Sequence, residues 1–381
     1  MAPFTPVVDV PPAPTTIIWI RTPEELDQWL AQAPGTPLAL DTEFERVSTF
    51  YPIPGLVQLG LADQFRLVDP EVAEASTGFR EVLANPEVPK LLYAMSEDLE
   101  LFRQWLRIQL KGVVDLQIGA ALAGEGFSLG YARAVENLFG ETLDKSATRS
   151  DWLARPLSEV QQRYAIEDIR FLQPMYDWLQ VRLGELGLTE ALREESARFA
   201  DELASLDDPD LHYLKLRGGW ALSPVKQAVL RELVRWREHE CQRQDRPRNR
   251  VLADPLLIAI AERLPQSPEE LGDIQGVPSG VVRRYGETLL KLIARGASGK
   301  PVPEAIAAPL TREQQSLFKQ LKRVFRKASE ASGIPMELLA PRKRLEKMIQ
   351  DGSLDKQVFF AGWRGKILAP FRDEIEELLA S

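Results

Sequence analysis

The stretch Leu38-Ala39-Leu40-Asp41-Thr42-Glu43-Phe44 runs three apolar or small residues into two carboxylates spaced i and i+2. A second apolar run, Leu56-Val57-Gln58-Leu59-Gly60-Leu61, follows close behind. In a strand, side chains two apart share a face, so Asp41 and Glu43 stand side by side at its end. Two like charges held that close are costly unless a cation or a salt partner lies between them. The pair hints at a metal site, although a strand running into a solvated polar loop accounts for the same residues.

Working outward, residues 16–20 are β-branched and aromatic and read as a strand. Thr22 then caps a helix through Trp29, with Glu24 and Glu25 in its first turn. Leu56 to Ala62 and Phe65 to Val68 form a hairpin around Asp63-Gln64, and a short helix near 73–84 leads to a buried strand, Lys90 to Ala94. Ser96 caps the next helix, which runs to about Leu106. Strands alternating with helices in this way predict an α/β layer fold with mixed strand directions. After Val113-Val114-Asp115 the pattern turns helical. A polar loop occupies 143–156, and the Ser158/Gln161 capping box opens a long helix through Tyr164, Asp168 and Leu172 to about Leu183.

The length of 381 residues exceeds one ordinary core and suggests two or three domains, and 44% hydrophobic with 27% charged residues is the balance of a soluble globular chain. No apolar run approaches the roughly 18 residues of a membrane helix. Met1 to Pro14 is Pro-rich with no basic residue before an apolar core, unlike a signal peptide, so a cytoplasmic location is expected. The single cysteine, Cys241, excludes an internal disulfide and a Cys-cluster zinc site. With only His212 and His239 available, the ligands of any metal should be carboxylates, which favours Mg²⁺ or Mn²⁺.

Charge is unevenly spread. Residues 1–205 carry a net −15 and residues 206–381 a net +6, a division that suggests separate tasks for the two halves. An acidic, helix-breaking passage from Asp201 to Asp210 marks a domain junction, and amphipathic helices follow at Val225–Glu240, Pro255–Leu264, Pro268–Leu271 and Val281–Ala294. Residues 297–309, rich in Ala, Pro and Gly, form a second linker before a last helical region, 311–380. The expected domains are therefore 1–205, 206–299 and 300–381. A shift of 87 residues lays Leu230 on Leu317 and Leu252-Ala253 on Leu339-Ala340, which suggests that the two helical regions are divergent copies.

Two further acids join the opening pair. Asp98 lies in the first turn of its helix, where the helix dipole alone would favour it, and Tyr164 and Asp168 are four apart and share a helical face. The three segments, Leu38 to Phe44, Ser96-Glu97-Asp98-Leu99 and Tyr164-Ala-Ile-Glu-Asp168, resemble the exonuclease motifs of the DEDD superfamily in its tyrosine-bearing subclass. Val114-Asp115-Leu116-Gln117, Thr142 to Ser146 and Ser150 to Ser158 closely resemble the bacterial ribonuclease D family, so the likeness spans 38 to about 180. The helical remainder is similar to that family's two HRDC modules.

This resemblance implies a ribonuclease H-like exonuclease domain, with a mixed sheet flanked by helices, followed by two all-α HRDC-type domains. It implies 3′-to-5′ hydrolysis of RNA to nucleoside 5′-monophosphates, in the 3′ maturation of tRNA precursors and other small structured RNAs. Asp41, Glu43, Asp98 and Asp168 become the ligands of two divalent metal ions, Mg²⁺ or Mn²⁺, with Asp41 placed to bridge them. Tyr164 would orient or deprotonate the attacking water, although a phenol with an ordinary pKa near 10 is a weak base unaided. A monomer with no membrane partner and no small-molecule organic cofactor is expected.

For the substrate, Phe44, Phe50 and Tyr51 follow the metal strand and could stack on the terminal base, while core packing accounts equally for Phe44. Lys145, Arg149 and Arg155 could meet phosphates, or pair with Asp144 and Asp151. Arg243, Arg246, Arg248 and Arg250 form a basic run, and residues 311–350 hold 10 basic against 4 acidic side chains, suited to tracking an RNA backbone. Two other readings remain open: a DNA 3′-to-5′ exonuclease, and a catalytically silent RNA-binding protein.

Overall fold

The computed structural model describes residues 8–144, 147, 150–205, 208–299, 302, 304–354 and 359–380. Six strands, β1 (Trp19–Ile20), β2 (Leu38–Glu45), β3 (Ile53–Leu61), β4 (Gln64–Val68), β5 (Lys90–Leu92) and β6 (Val113–Asp115), form one sheet in the order β1-β4-β3-β2-β5-β6. Strand β4 is antiparallel to β3 and parallel to β1, while β5 is parallel to both β2 and β6. The expected hairpin is present, but its two-residue turn lies one position earlier, at Ala62-Asp63, with Ala62 at φ 55° and Gln64 already paired with Leu61. Leu40, Leu56 and Leu59 are fully buried, each contributing roughly 1.5–3 kcal/mol of burial free energy.

Around the sheet lie α1 (Pro23–Leu30), α2 (Pro70–Ala75), α3 (Thr77–Ala84), α4 (Ser96–Trp105), α5 (Leu116–Leu122), α6 (Tyr131–Phe139), α7 (Glu159–Arg170), α8 (Leu172–Leu186) and α9 (Thr189–Ser205). Thr22 caps α1, its hydroxyl accepting from the Glu25 N–H. Two expected helices are each divided. The one over 73–84 breaks at Ser76, whose hydroxyl caps α3, and the one from Ser158 to Leu183 breaks at Phe171. Pro174 explains the second break: it has no N–H for the Arg170 carbonyl, and its ring crowds that group.

The helical remainder comprises α10 (Pro224–Gln244), α11 (Arg248–Val251), α12 (Asp254–Arg263), α13 (Pro268–Gly272), α14 (Ser279–Ser298), α15 (Arg312–Ser332), α16 (Met336–Leu339), α17 (Arg342–Asp351), α18 (Gly362–Leu368) and α19 (Arg372–Ala380). Two copies are evident, but their offset is 88 residues rather than 87. That offset lays α10, α11 and α12 on α15, α16 and α17 end to end. It also matches the left-handed caps, Asp245 with Gly333 and Leu264 with Gly352. The leucine identities misled by one residue, which is 100° around a helix. At 88 the buried positions coincide, Leu233 with Leu321 and Leu257 with Leu345.

Chain contacts divide the protein into two units. One contains Met1–Glu45, Pro54–Asp201 and Leu310–Ser381, and the other contains Arg46–Ile53 and Glu202–Pro309. The C-terminal helices therefore share a unit with the α/β layer, through a core running from Leu67 and Leu91 by way of Leu179 to Phe325 and Trp363. A buried charge cluster crosses this junction: Glu195 on α9 accepts from Arg364 Nη2 at 2.7 Å, Trp363 Nε1 at 3.1 Å and Arg198 Nη2 at 3.0 Å. In the other unit Tyr213, Leu233, Leu257 and Leu289 form the core, and the fully buried Arg237 pairs with Glu238 at 2.9 Å.

Candidate active site

Strand β2 presents Asp41 and Glu43 on one face, and α7 delivers Asp168 to them. One carboxylate oxygen from each of these three residues lies within 4.8 Å of the others. The phase of α7 is set at its start by a complete capping box: Ser158 Oγ accepts from the Gln161 N–H at 3.2 Å, and Gln161 Oε1 accepts from the Ser158 N–H at 3.0 Å. Tyr164, one turn before Asp168, hydrogen-bonds the Asp168 carboxylate and packs against Trp152 with ring centroids 5.9 Å apart.

Asp98 is buried beside this trio without belonging to it, and its Oδ1 accepts the Thr42 hydroxyl at 2.5 Å. The cap of its helix differs from expectation. Ser96 is the first helical residue, and Met95, at the cap position, supplies no side-chain hydrogen bond. Asp115 braces the preceding turn from β6, accepting from the Ala94 and Met95 N–H groups at 3.1 and 3.2 Å and from Gln117 at 2.9 Å. It thereby holds the turn, with Ala94 at φ 56°, from which α4 projects Asp98.

Burial and mutual repulsion act together here. Burial, followed by the charges of Asp168 and Asp98, pushes Glu43 up to about 8. Burial raises Asp98 and Asp168 to about 7 each, against the opposing hydrogen bonds from Thr42 and Tyr164. Asp41 lies well above the carboxylate range because it is buried and faces Asp98, Asp168 and Glu43. An all-oxygen set that resists ionisation in the absence of a counter-charge fits hard divalent cations.

The sign of the pH effect follows. These carboxyls bind protons more tightly in the folded than in the unfolded chain, so their contribution to stability is complete below about pH 4 and is lost as pH rises towards 8. Saturating Mn²⁺ should raise the melting temperature, and by more at pH 8 than at pH 6, because fewer protons must be displaced. Calorimetric melts at the two pH values, with and without metal, test this; an equal or smaller rise at pH 8 would contradict it.

Thr42, Asp115 and Tyr131 were not assigned roles from sequence. Tyr131 donates to the Glu167 carbonyl at 2.9 Å, and its phenol is pushed upward by burial and by the charges of Asp168 and Asp41. Thr42 carried a signal in its place between the two acids, and Asp115 in being a further acid, at the end of an apolar run, that could approach the site. Two substrate expectations need correction. Phe50 is buried against Cys241 and Val251 with the Arg248 guanidinium 5.1 Å from its ring centre, so no face is left for a base. Its N–H and that of Tyr51 are held by Asp245 Oδ1 at 2.9 and 3.0 Å.

Arg155 is equally committed. It pairs with Asp69 at 2.7 Å and donates to the carbonyls of Trp152, Ala154 and Gly55, stapling the polar loop to β3. Lys145 and Arg149 lie outside the described residues. Phe44 is half-buried on β2. In the basic run, Arg243 and Arg248 pair with Glu240 and Glu238, while Arg246 and Arg250 are exposed.

Comparison with known proteins places these features among relatives. The 3′-5′ exonuclease family matches residues 17–184, the HRDC domain family 226–293, and the family described as "Ribonuclease D, C-terminal HRDC domain" 313–370. Ribonuclease D of Pseudomonas paraeruginosa is 39% identical over 339 residues, covering 88% of this chain and 90% of that protein. Ribonuclease D of Escherichia coli is 32% identical over 345 residues, covering 87% and 90%. The crystal structure of Escherichia coli RNase D, described as an exoribonuclease involved in structured RNA processing, superposes with a TM-score of 0.83 at 30% identity. It covers 96% of this chain and 99% of that one.

Proposed function

Because this chain belongs to the ribonuclease D family, and is therefore a 3′-to-5′ exoribonuclease, we propose that Asp41, Glu43, Asp98 and Asp168 hold its divalent cations and that Tyr164 acts with them on the scissile phosphodiester. The observation carrying this reading is the convergence of Asp41, Glu43 and Asp168 oxygens within 4.8 Å, with Tyr164 hydrogen-bonded to Asp168. Two Mg²⁺ or Mn²⁺ ions held there would activate water and neutralise charge on the reacting phosphate.

The protein groups have separate tasks. Thr42 steadies Asp98, Asp115 aims the helix that carries it, and Tyr164 shares its proton with Asp168 at the edge where an RNA 3′ end would enter. Half-buried Phe44 is a stacking surface for the terminal base in this reading. On α15, Lys319, Lys322, Arg323 and Arg326 recur at helical spacing on one face, a stripe suited to an RNA backbone. These features support an RNA substrate with a free 3′ tail; tRNA precursors as substrate, and a cytoplasmic monomer as the acting form, are part of the proposal.

Purified protein incubated with 3′-labelled and 5′-labelled RNA and DNA, under Mg²⁺, Mn²⁺ or EDTA, tests the proposal. The 3′ label should appear at once as a mononucleotide, the 5′-labelled RNA should shorten progressively, and EDTA should stop both. Preferential loss of DNA, or cleavage that persists in EDTA, would overturn it.

A further inference from the structure

Gln58 on β3 is fully buried, yet neither its Oε1 nor its Nε2 has a hydrogen-bond partner among the described residues. An unmet buried polar group costs about 1–3 kcal/mol, and an apolar residue would avoid that cost. A partner is therefore to be sought in what surrounds the side chain.

Two close approaches fix where β3 runs along β2. A Cβ at Gly60 would meet the Ala39 Cβ at 3.0 Å, and one at Gly55 would lie 3.1 Å from the Glu43 carbonyl oxygen. As β3 advances from 55 to 60, its neighbour on β2 retreats from 43 to 39, so the two strands are antiparallel. Gly60 and Gln58 share a face, as do Ala39 and Asp41. Gln58 is thus the cross-strand neighbour of Asp41, a relation that brings Cβ atoms to about 4.5–5.5 Å. Its neighbour on the other side, Leu67 of β4, is apolar. Asp41 already accepts one backbone hydrogen bond, from Thr42.

We propose that Gln58 is a positioning residue for the acid pocket: its Nε2 donates to the Asp41 carboxylate that would hold a cation, and so fixes the plane of the ligand. The inference rests on the reading of Asp41 as a metal ligand. A ligating carboxylate keeps lone pairs beyond those given to its cation, and donors to them orient it and strengthen its hold.

Calorimetric titration of Mn²⁺ into the full-length parent and Gln58→Met provides the test. The variant is expected to bind Mn²⁺ roughly 10–100-fold more weakly, with a metal-free melting temperature equal to or above the parent's. Affinity within twofold of the parent overturns the inference while leaving the metal reading intact; a parent that binds no Mn²⁺ removes both. A second measurement needs no altered protein in the titration. The Gln58 side-chain amide resonance, identified by its loss in Gln58→Met, should move during a Mg²⁺ titration of the parent, and a stationary resonance overturns the proposal.

Discussion

Asp41→Asn is expected to slow release of a 3′-terminal nucleotide by about 10³-fold or more, since metal assistance supplies several kcal/mol to such a displacement. RNA affinity should stay within about twofold, because asparagine keeps the shape of the side chain and the basic surfaces lie elsewhere. A second effect has the opposite sign. Asp41 is buried against Asp98, Asp168 and Glu43, so removing its charge relieves repulsion and should raise the melting temperature of the metal-free protein at pH 8. Loss of activity with gain of stability is the signature of a site whose strain serves function. Single-turnover rates, filter binding and thermal melts measure all three; a rate within tenfold of the parent would remove Asp41 from the metal site.

Glu195→Ala should be the most damaging change to stability away from the acid pocket. It leaves Arg364, 5% exposed, without the carboxylate that holds it, and stranding one member of a buried ion pair costs about 3–5 kcal/mol. Arg364 keeps hydrogen bonds to the Leu338 carbonyl, which offset only part of the lost charge pairing. The double change Glu195→Leu with Arg364→Met should recover most of the loss, because it removes both buried charges and leaves Arg198, 29% exposed, within reach of water. Urea unfolding of the parent and the two variants measures this, and a loss below about 1 kcal/mol for Glu195→Ala would show that the pair carries little of the junction's energy. The same pairing bears on truncation: cutting the chain after residue 205 would strip α15 to α19 from the unit that holds the catalytic residues.

Much of this was legible beforehand wherever local chemistry writes a local signal. The apolar run into Asp41 and Glu43 predicted the strand that carries them, and hydroxyl caps predicted the starts of α1 and α7. The failures share a cause. Ser96 had the spacing of a cap, but it is the first helical residue, and Asp115 braces the turn before it from β6. Phe50 looked like an aromatic near an active site, whereas its burial depends on Cys241 and Val251, almost two hundred positions away. The copy offset was off by one because leucine identities are weaker markers than the left-handed turns that end the helices.

Residue order narrowed the chemistry: with few imidazoles and one thiol, any metal would be held by carboxylates, which favours a hard cation, and strand and helix periods determine which of them share a face. Folding had to supply the environment. Whether a carboxylate at Asp41 ionises freely, whether Gln58 has a partner, and whether Glu195 meets Arg364 at a separation of 169 residues are matters of desolvation and long-range proximity. Those quantities belong to groups far apart in the chain, so no local pattern records them, and they exist only once the sheet, α7 and the C-terminal helices close around one core.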